Sequence, residues 1–251
     1  MKTITLCILT AVILTVSVTA AVEDDLHSLG LFIGTENGYE LDRAPTMAEV
    51  SVIFVRLLGK EAEAIENNFD HPFNEAPYWV SPYAGYLYAS GITDETYASN
   101  FSDDYNCPAY NFCEFVLKAL GYTREAGDFG SESTGGLVDF EDVTTLWELS
   151  EKLGLVSDDL LGRIYGLESL YEHYFGDYHI GGWRNDIIYV DPETGEEIII
   201  TAKDAAAIVT EYNELYGLKR SDCVDIINRA LNIKIKGTEI TLYEKLFGEG
   251  N

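Results

Sequence analysis

His173 and His179, in the stretch YEHYFGDYHIGGW, stand close to Glu168, Glu172 and Asp177. Imidazole and carboxylate together are a donor set for a zinc- or calcium-assisted hydrolase. The spacing matches no zinc motif of the His-Glu-x-x-His type. Donor types without donor geometry describe an aromatic-rich surface loop equally well. Cys107, Cys113 and Cys223 are an odd number at spacings unlike a disulfide framework or a zinc site. Cys223 falls among apolar residues at helical spacing and reads as a small core side chain. No Gly-x-Ser-x-Gly, phosphate-binding loop or dinucleotide fingerprint occurs. The chain is therefore read as not an enzyme and as needing no cofactor, with a metal-assisted hydrolase in the histidine-bearing segment as the alternative on the catalytic side. Tyrosine is abundant, at 17 residues, many of them between helical stretches. Such residues either pack or form a contact surface for carbohydrate or protein.

Charge narrows the partners. Lysine and arginine number 16 against 43 aspartates and glutamates, a net charge of −27. Such a surface repels nucleic acid and anionic membrane, so neither is expected as a partner. Calcium would suit it, but no EF-hand loop is present. Residues 1–20 have the layout of a secretory signal: Lys2, an apolar run over Leu6–Val18, and Val18-Thr19-Ala20 as a small-residue cleavage site before Ala21. Cys7 lies inside that run without a lipoprotein context. The run is short for a permanent membrane span, and no second one follows. Losing Lys2 with the signal leaves 15 basic residues against 43 acidic ones, a charge of −28 that favours solubility after export.

The elements that must position these residues show in the apolar periodicity. Pro45–Gly59, PTMAEVSVIFVRLLG, reads as an amphipathic helix with Val50, Ile53, Phe54, Leu57 and Leu58 on one face. The register recurs at an offset of 62 as Phe112, Phe115, Val116, Ala119 and Leu120, and at 173 as Cys223, Ile226, Ile227, Ala230 and Leu231. Arg56, Lys118 and Arg229 share one matching position. The registers end in Gly59, Gly121 and Asn232, residue types that tolerate a left-handed cap. Three such matches indicate an internal repeat. Helices over Pro45–Leu58, Pro108–Leu120 and Arg220–Leu231 are expected to share one core, related by a threefold rotation.

The rest of the chain fills in around them. Asp24–Leu31 reads as a helix running into the Gly30–Gly34 turn, and Lys60–Asp70 as a charged connector. Ser81 before Pro82 reads as an N-cap, and Gly91 stops that helix. Gly127–Gly136 is a Gly/Ser linker, and Val138–Val156 a helix with Leu146, Leu149 and Leu153 inward. Residues 157–217 break the pattern. Within them Ile187–Val190 and Glu197–Thr201 read as a hairpin about a turn holding Pro192 and Gly195. A lone hairpin is marginal, so the helix Ala202–Tyr216, opened by Thr201 and Asp204, should pack on it. Thr241 and Glu244 are spaced as a capping box for a closing helix. The fold class is mainly α, with three helix–loop–helix units in a pseudo-threefold bundle and a small α/β insertion. The organisation is a signal at 1–20, units at 21–62, 69–124 and 138–156 plus 218–234, the insertion at 157–217 and a C-terminal helix within 235–251.

Three stretches resemble the S-layer homology (SLH) domain family. They are LGLFIGTENGYELDRAPTMAEVSVIFVRLLG; HPFNEAPYWVSPYAGYLYASGI with its partner helix ending VLKALGY; and DFEDVTTLWELSEKLGLV completed by LKRSDCVDIINRALN. The resemblance implies three units around a pseudo-threefold axis whose grooves bind secondary cell-wall polysaccharide, often pyruvylated. That would hold an exported protein at the cell wall or surface of a Gram-positive-type bacterium. The family's anion-reading arginine has Met47 and Ala109 at its positions in the first two units and survives as Arg220, with Asp222. Glu49 is kept in the first unit and becomes Asn111 in the second. The family's tryptophan is Trp79 in the second unit, while Trp147 falls inside its helix in the third. The implied carbohydrate-binding residues are Arg220, Asp222, Trp79 and Gly34. A guanidinium fork suits a pyruvyl carboxylate, and a helix start near Lys219 adds N–H groups and a positive dipole end. The expected function is non-catalytic association with wall polysaccharide or the surface layer. The alternative is a protein-binding module on a scaffold that has lost most of its sugar contacts.

Overall fold

The computed structural model describes residues 22–93, 101, 104–123, 126–129, 144–175, 187–190, 197–200 and 217–248. The leader, most of the 127–136 linker, the 191–196 turn, His179 and the expected 202–216 helix lie outside the described residues. Among the described residues the chain is mainly helical. The elements are α1 (22–28), α2 (Met47–Leu57), α3 (Glu61–Asn67), α4 (Ser81–Ala89), α5 (Ala109–Ala119), α6 (Leu146–Lys152), α7 (Asp158–Phe175), β1 (Ile187–Val190), β2 (Glu197–Ile200), α8 (Arg220–Leu231) and α9 (Leu242–Phe247).

Helix starts are set by side-chain caps more than by proline. α2 begins at Met47, not at Pro45, because Thr46 caps it. Thr46 Oγ1 accepts the Glu49 N–H at 3.2 Å, and the Glu49 carboxylate accepts the Thr46 N–H at 3.0 Å. Thr145 with Glu148 and Thr241 with Glu244 make the same reciprocal pair at α6 and α9. Ser81 is not the N-cap expected of it. Val80 holds that position, Ser81 is already helical, and its hydroxyl is bonded to His71 instead. Gly59 and Gly121 take the left-handed conformation expected of them, but Asn232, at φ −92°, stays right-handed.

Three segments differ from the sequence reading. The helix expected over Val138–Val156 is, among the described residues, Leu146–Lys152, opened by the Thr145 cap. Lys60–Asp70 is not merely a connector. Its Glu61 and Glu63 sit favourably in the first turn of α3, Ala64 is buried, and Asn68 closes the helix at φ 41°. Residues 158–175 form an 18-residue helix, which takes in only Tyr171–Phe175 of the stretch read as an aromatic-rich loop; the rest of that stretch lies outside the described residues. The hairpin is present with antiparallel register Ile187 opposite Ile200 and Val190 opposite Glu197, and α7 contacts β1.

One hydrophobic core contains the inward faces of α2, α5 and α8 together with Leu146, Leu149, Leu160 and Ile164. Phe54 of α2 and Phe115 of α5 stack with ring centroids 4.5 Å apart and planes 3° from parallel. α5 also packs on α6 and α8. Backbone bonds stitch helix starts to distant loops. Met47 N–H donates to Tyr105 O at 2.9 Å and Cys107 N–H to Pro45 O at 2.8 Å. Arg220 N–H donates to Arg43 O at 2.9 Å and Ser221 N–H to Leu41 O at 3.0 Å. Phe54 is 1% exposed, so Phe54→Ala should cost about 3–5 kcal/mol by opening a cavity against Phe115. Urea denaturation of the variant checks this.

Candidate functional site

The site starts from the turn that follows α1. Gly34 has φ +83°, and a Cβ there would lie 2.9 Å from Gly38 O and 3.1 Å from the Tyr39 ring, so only glycine fits. The turn buries Phe32 and leaves Ile33 half exposed. Arg220, from the start of α8, lies over the Phe32 ring with its guanidinium carbon 4.8 Å from the centroid. Its Nε donates to Tyr39 O at 2.8 Å, and its Nη1 lies 2.7 Å from Glu49 Oε1.

Glu49 is shared. Arg43 Nη2 and Nη1 donate to its two oxygens at 2.6 and 2.9 Å, while Thr46 N–H binds from the backbone. Arg43 also bonds Glu40 at 3.1 Å, and Thr35 donates to Glu40 at 2.6 Å. Burial alone would raise the Glu49 carboxyl. The hydrogen bonds from Arg43 and Thr46 and the charge of Arg220 outweigh it and hold the group below its ordinary range.

On the other side, Arg56 Nε donates to Glu61 Oε1 at 2.9 Å, and the Tyr83 hydroxyl donates to the same oxygen at 2.7 Å. Burial, followed by Glu61, pushes the Tyr83 hydroxyl up. Between these two networks lies a groove of about 310 Å³, at the small end for ligand sites. Its walls are Phe32, Ile33 and Gly34 from the turn, Glu49, Val52, Ile53 and Arg56 from α2, Trp79 and Tyr83 at α4, and Arg220. Trp79 is 46% exposed at this groove, and its neighbour Tyr78 is 95% exposed.

Of the four residues singled out in the sequence, Gly34, Trp79 and Arg220 line this groove and Asp222 does not. Asp222 Oδ2 accepts the Lys219 N–H at 2.7 Å, and Oδ1 takes Arg163 Nη2 at 2.6 Å. Arg163, in α7, also donates to Gly217 O at 3.1 Å. The start of α8 offers no open anion site, because the Arg220 and Ser221 N–H groups are bonded to Arg43 and Leu41. Nor is Arg220 a free fork: it is 3% exposed, with two of its nitrogens engaged internally.

Arg56 and Tyr83 were not read as site residues, although for Arg56 the repeated basic position was a signal. Lys118 and Arg229 each pair with an acid one turn earlier on their own helix, Glu114 at 3.2 Å and Asp225 at 2.9 Å. Arg56 has Val52 there, so it reaches out of α2 to Glu61 and comes to line the groove. Trp147 is buried edge-on against Tyr110, centroids 6.2 Å apart.

The cysteines form no disulfide. Cys107, Cys113 and Cys223 are buried, and burial pushes each thiol up, away from nucleophilic use. Among the described residues no cluster of three His, Cys, Asp or Glu could hold a metal ion. The His173 side chain and His179 lie outside what is described. No helix is long and apolar enough to cross a membrane among the described residues. The sequence matches no protein-family model and no curated protein.

Two outcomes follow from the Glu49 network. Arg220→Ala should destabilise the protein by on the order of 3 kcal/mol, because it uncovers Phe32 and breaks a buried ion pair. Glu49→Gln should cost about 2–3 kcal/mol near neutral pH. Because the folded Glu49 carboxyl lies below its ordinary value of 4.5, its contribution is complete above 4.5 and is lost as the pH falls through the lower folded value. The gap between Glu49→Gln and wild type should therefore close in acid, as read from urea midpoints across pH.

Proposed function

We propose that the chain is an exported, non-catalytic carbohydrate-binding protein of SLH type that associates with cell-wall polysaccharide or the surface layer of a Gram-positive-type bacterium. In this reading α2, α5 and α8 are the second helices of three repeated units around a pseudo-threefold axis. The groove beside α2 takes one acidic sugar unit of the wall polymer, such as a pyruvylated residue. The observation that carries this is the pairing, in one groove, of a half-exposed indole with an arginine guanidinium.

Trp79 offers an apolar face for a sugar ring while remaining partly wet. Arg56 gives Nε to Glu61 and also meets the Tyr83 hydroxyl, and a guanidinium has five N–H donors, so these two partners do not exhaust it. The remaining N–H groups suit a carboxylate. The anion-reading role implied for Arg220 thus moves to Arg56, since the Arg220 fork holds the scaffold together. Glu49 is balanced by two arginines and Arg56 by Glu61. The pull on an acidic ligand is therefore short-ranged, against a chain charge of −27.

Co-sedimentation with purified wall sacculi, followed by calorimetry on released polymer, tests the reading. Trp79→Ala should weaken binding roughly tenfold. Arg56→Lys keeps the pair with Glu61 but loses the fork, and should weaken binding about ten- to hundredfold with the melting temperature nearly unchanged. Equal binding by wild type and both variants would remove the groove from the function. No binding by wild type would favour a protein partner instead, for which Tyr78, Trp79 and Ile33 supply exposed anchors.

A further inference from the structure

His71 makes two hydrogen bonds that bracket one loop. Its Nδ1 accepts the Phe73 N–H at 3.2 Å, and its Nε2 lies 2.8 Å from Ser81 Oγ. A backbone N–H can only donate, so Nδ1 must be unprotonated and the ring proton sits on Nε2, donated to Ser81. The ring therefore ties the first turn of the 72–80 segment to the start of α4, and Trp79 lies between the two ties. Phe73 anchors the same end in the core: it is 2% exposed, 4.5 Å from Phe101 and 5.4 Å from the His71 ring itself.

We propose that His71 is an acid-sensitive latch on the segment that carries Trp79, closed when the imidazole is neutral and released when it is protonated. An imidazolium carries N–H groups at both nitrogens. Protonation at Nδ1 sets one donor against another and deprives the Phe73 N–H of its acceptor. The tie to Ser81 survives, so the segment opens from its Phe73 end. The charge acting on the ring is Asp70, one residue earlier, which favours protonation. Burial opposes it and prevails, holding the group below its ordinary value of 6.5. α4 presents Ser81 and Gly85 to the ring, and neither carries charge. The absent Cβ of Gly85 also lets Phe69 O approach α4, where a side chain would meet it at 2.2 Å.

Because the neutral form is favoured by folding, the latch is complete above 6.5 and is lost as the pH falls below it. In mild acid the segment that carries the groove's indole is then freed at its Phe73 end. That last step rests on the groove reading above; the latch itself does not, and its test needs no ligand.

The test is amide hydrogen exchange on the ligand-free full chain at pH 7.5 and 5.0, expressed as protection relative to the intrinsic rate. Protection at Phe73, Ala76 and Val80 is expected to fall severalfold in acid while the α2 amides hold. His71→Asn keeps an oxygen that can accept the Phe73 N–H as an Asx turn but cannot titrate, and the acid loss should vanish in it. No loss in wild type, or an equal loss in His71→Asn, overturns the latch. On wild type alone, the His71 ring and the Phe73 amide should titrate in NMR with one midpoint below 6.5; two separate midpoints overturn it as well.

Discussion

A single carboxylate, that of Glu49, joins the start of α2 and the loop before it to α8, far along the chain. It caps its own helix through Thr46, takes a fork of hydrogen bonds from Arg43, and meets Arg220 from the start of α8. Moving such a group out of water costs several kcal/mol, repaid only when every lone pair finds a donor. Here the donors are complete, and the same arrangement fixes the geometry around it. Arg220 can reach Glu49 only by lying over Phe32, which sets the turn at Ile33 and Gly34. Arg43 and Leu41 can receive the first N–H groups of α8 only if that loop runs beside them. The groove wall is a by-product of satisfying Glu49.

A parallel solution appears at α8. Asp222 holds the same place in its helix as Glu49 does in α2, third from the start, and it too caps the backbone and takes an arginine. The arginine that serves it is Arg163, from α7. α7 is thus tied to the start of α8 by a largely buried ion pair.

Local patterns in the sequence were legible, and long-range polar partnerships were not. The 3.6-residue apolar period located α2, α5 and α8 to within a residue or two, and β-branched alternation located the hairpin, because those signals are written within a dozen residues. α3 was passed over because Glu61–Asn67 has too few apolar residues to show a face; one buried alanine and an acidic first turn sufficed. α7 was passed over because Gly162 and Gly166 interrupt its apolar period, and its last residues, Tyr171–Phe175, fall in the stretch read as an aromatic-rich loop. For the site, residue types were readable and their commitments were not. Nothing near Arg220 in sequence reveals that its Nε would be spent on Tyr39 O, 181 residues earlier. Nothing near Arg56 shows that it alone of the three repeated cations would look outward from its helix.

That separation of 181 residues also orders events in time. The turn at Phe32–Gly34, α2 and Trp79 all leave the ribosome early, yet the residue that covers Phe32 and closes that side of the groove is number 220 of 251. Contacts of such sequence separation form late, because the intervening chain must first be gathered in. Until then Phe32 and Glu49 face solvent with one partner missing. The groove is consequently complete only once residue 220 has docked, and a product stopped before it keeps the indole and Arg56 but not the wall behind them.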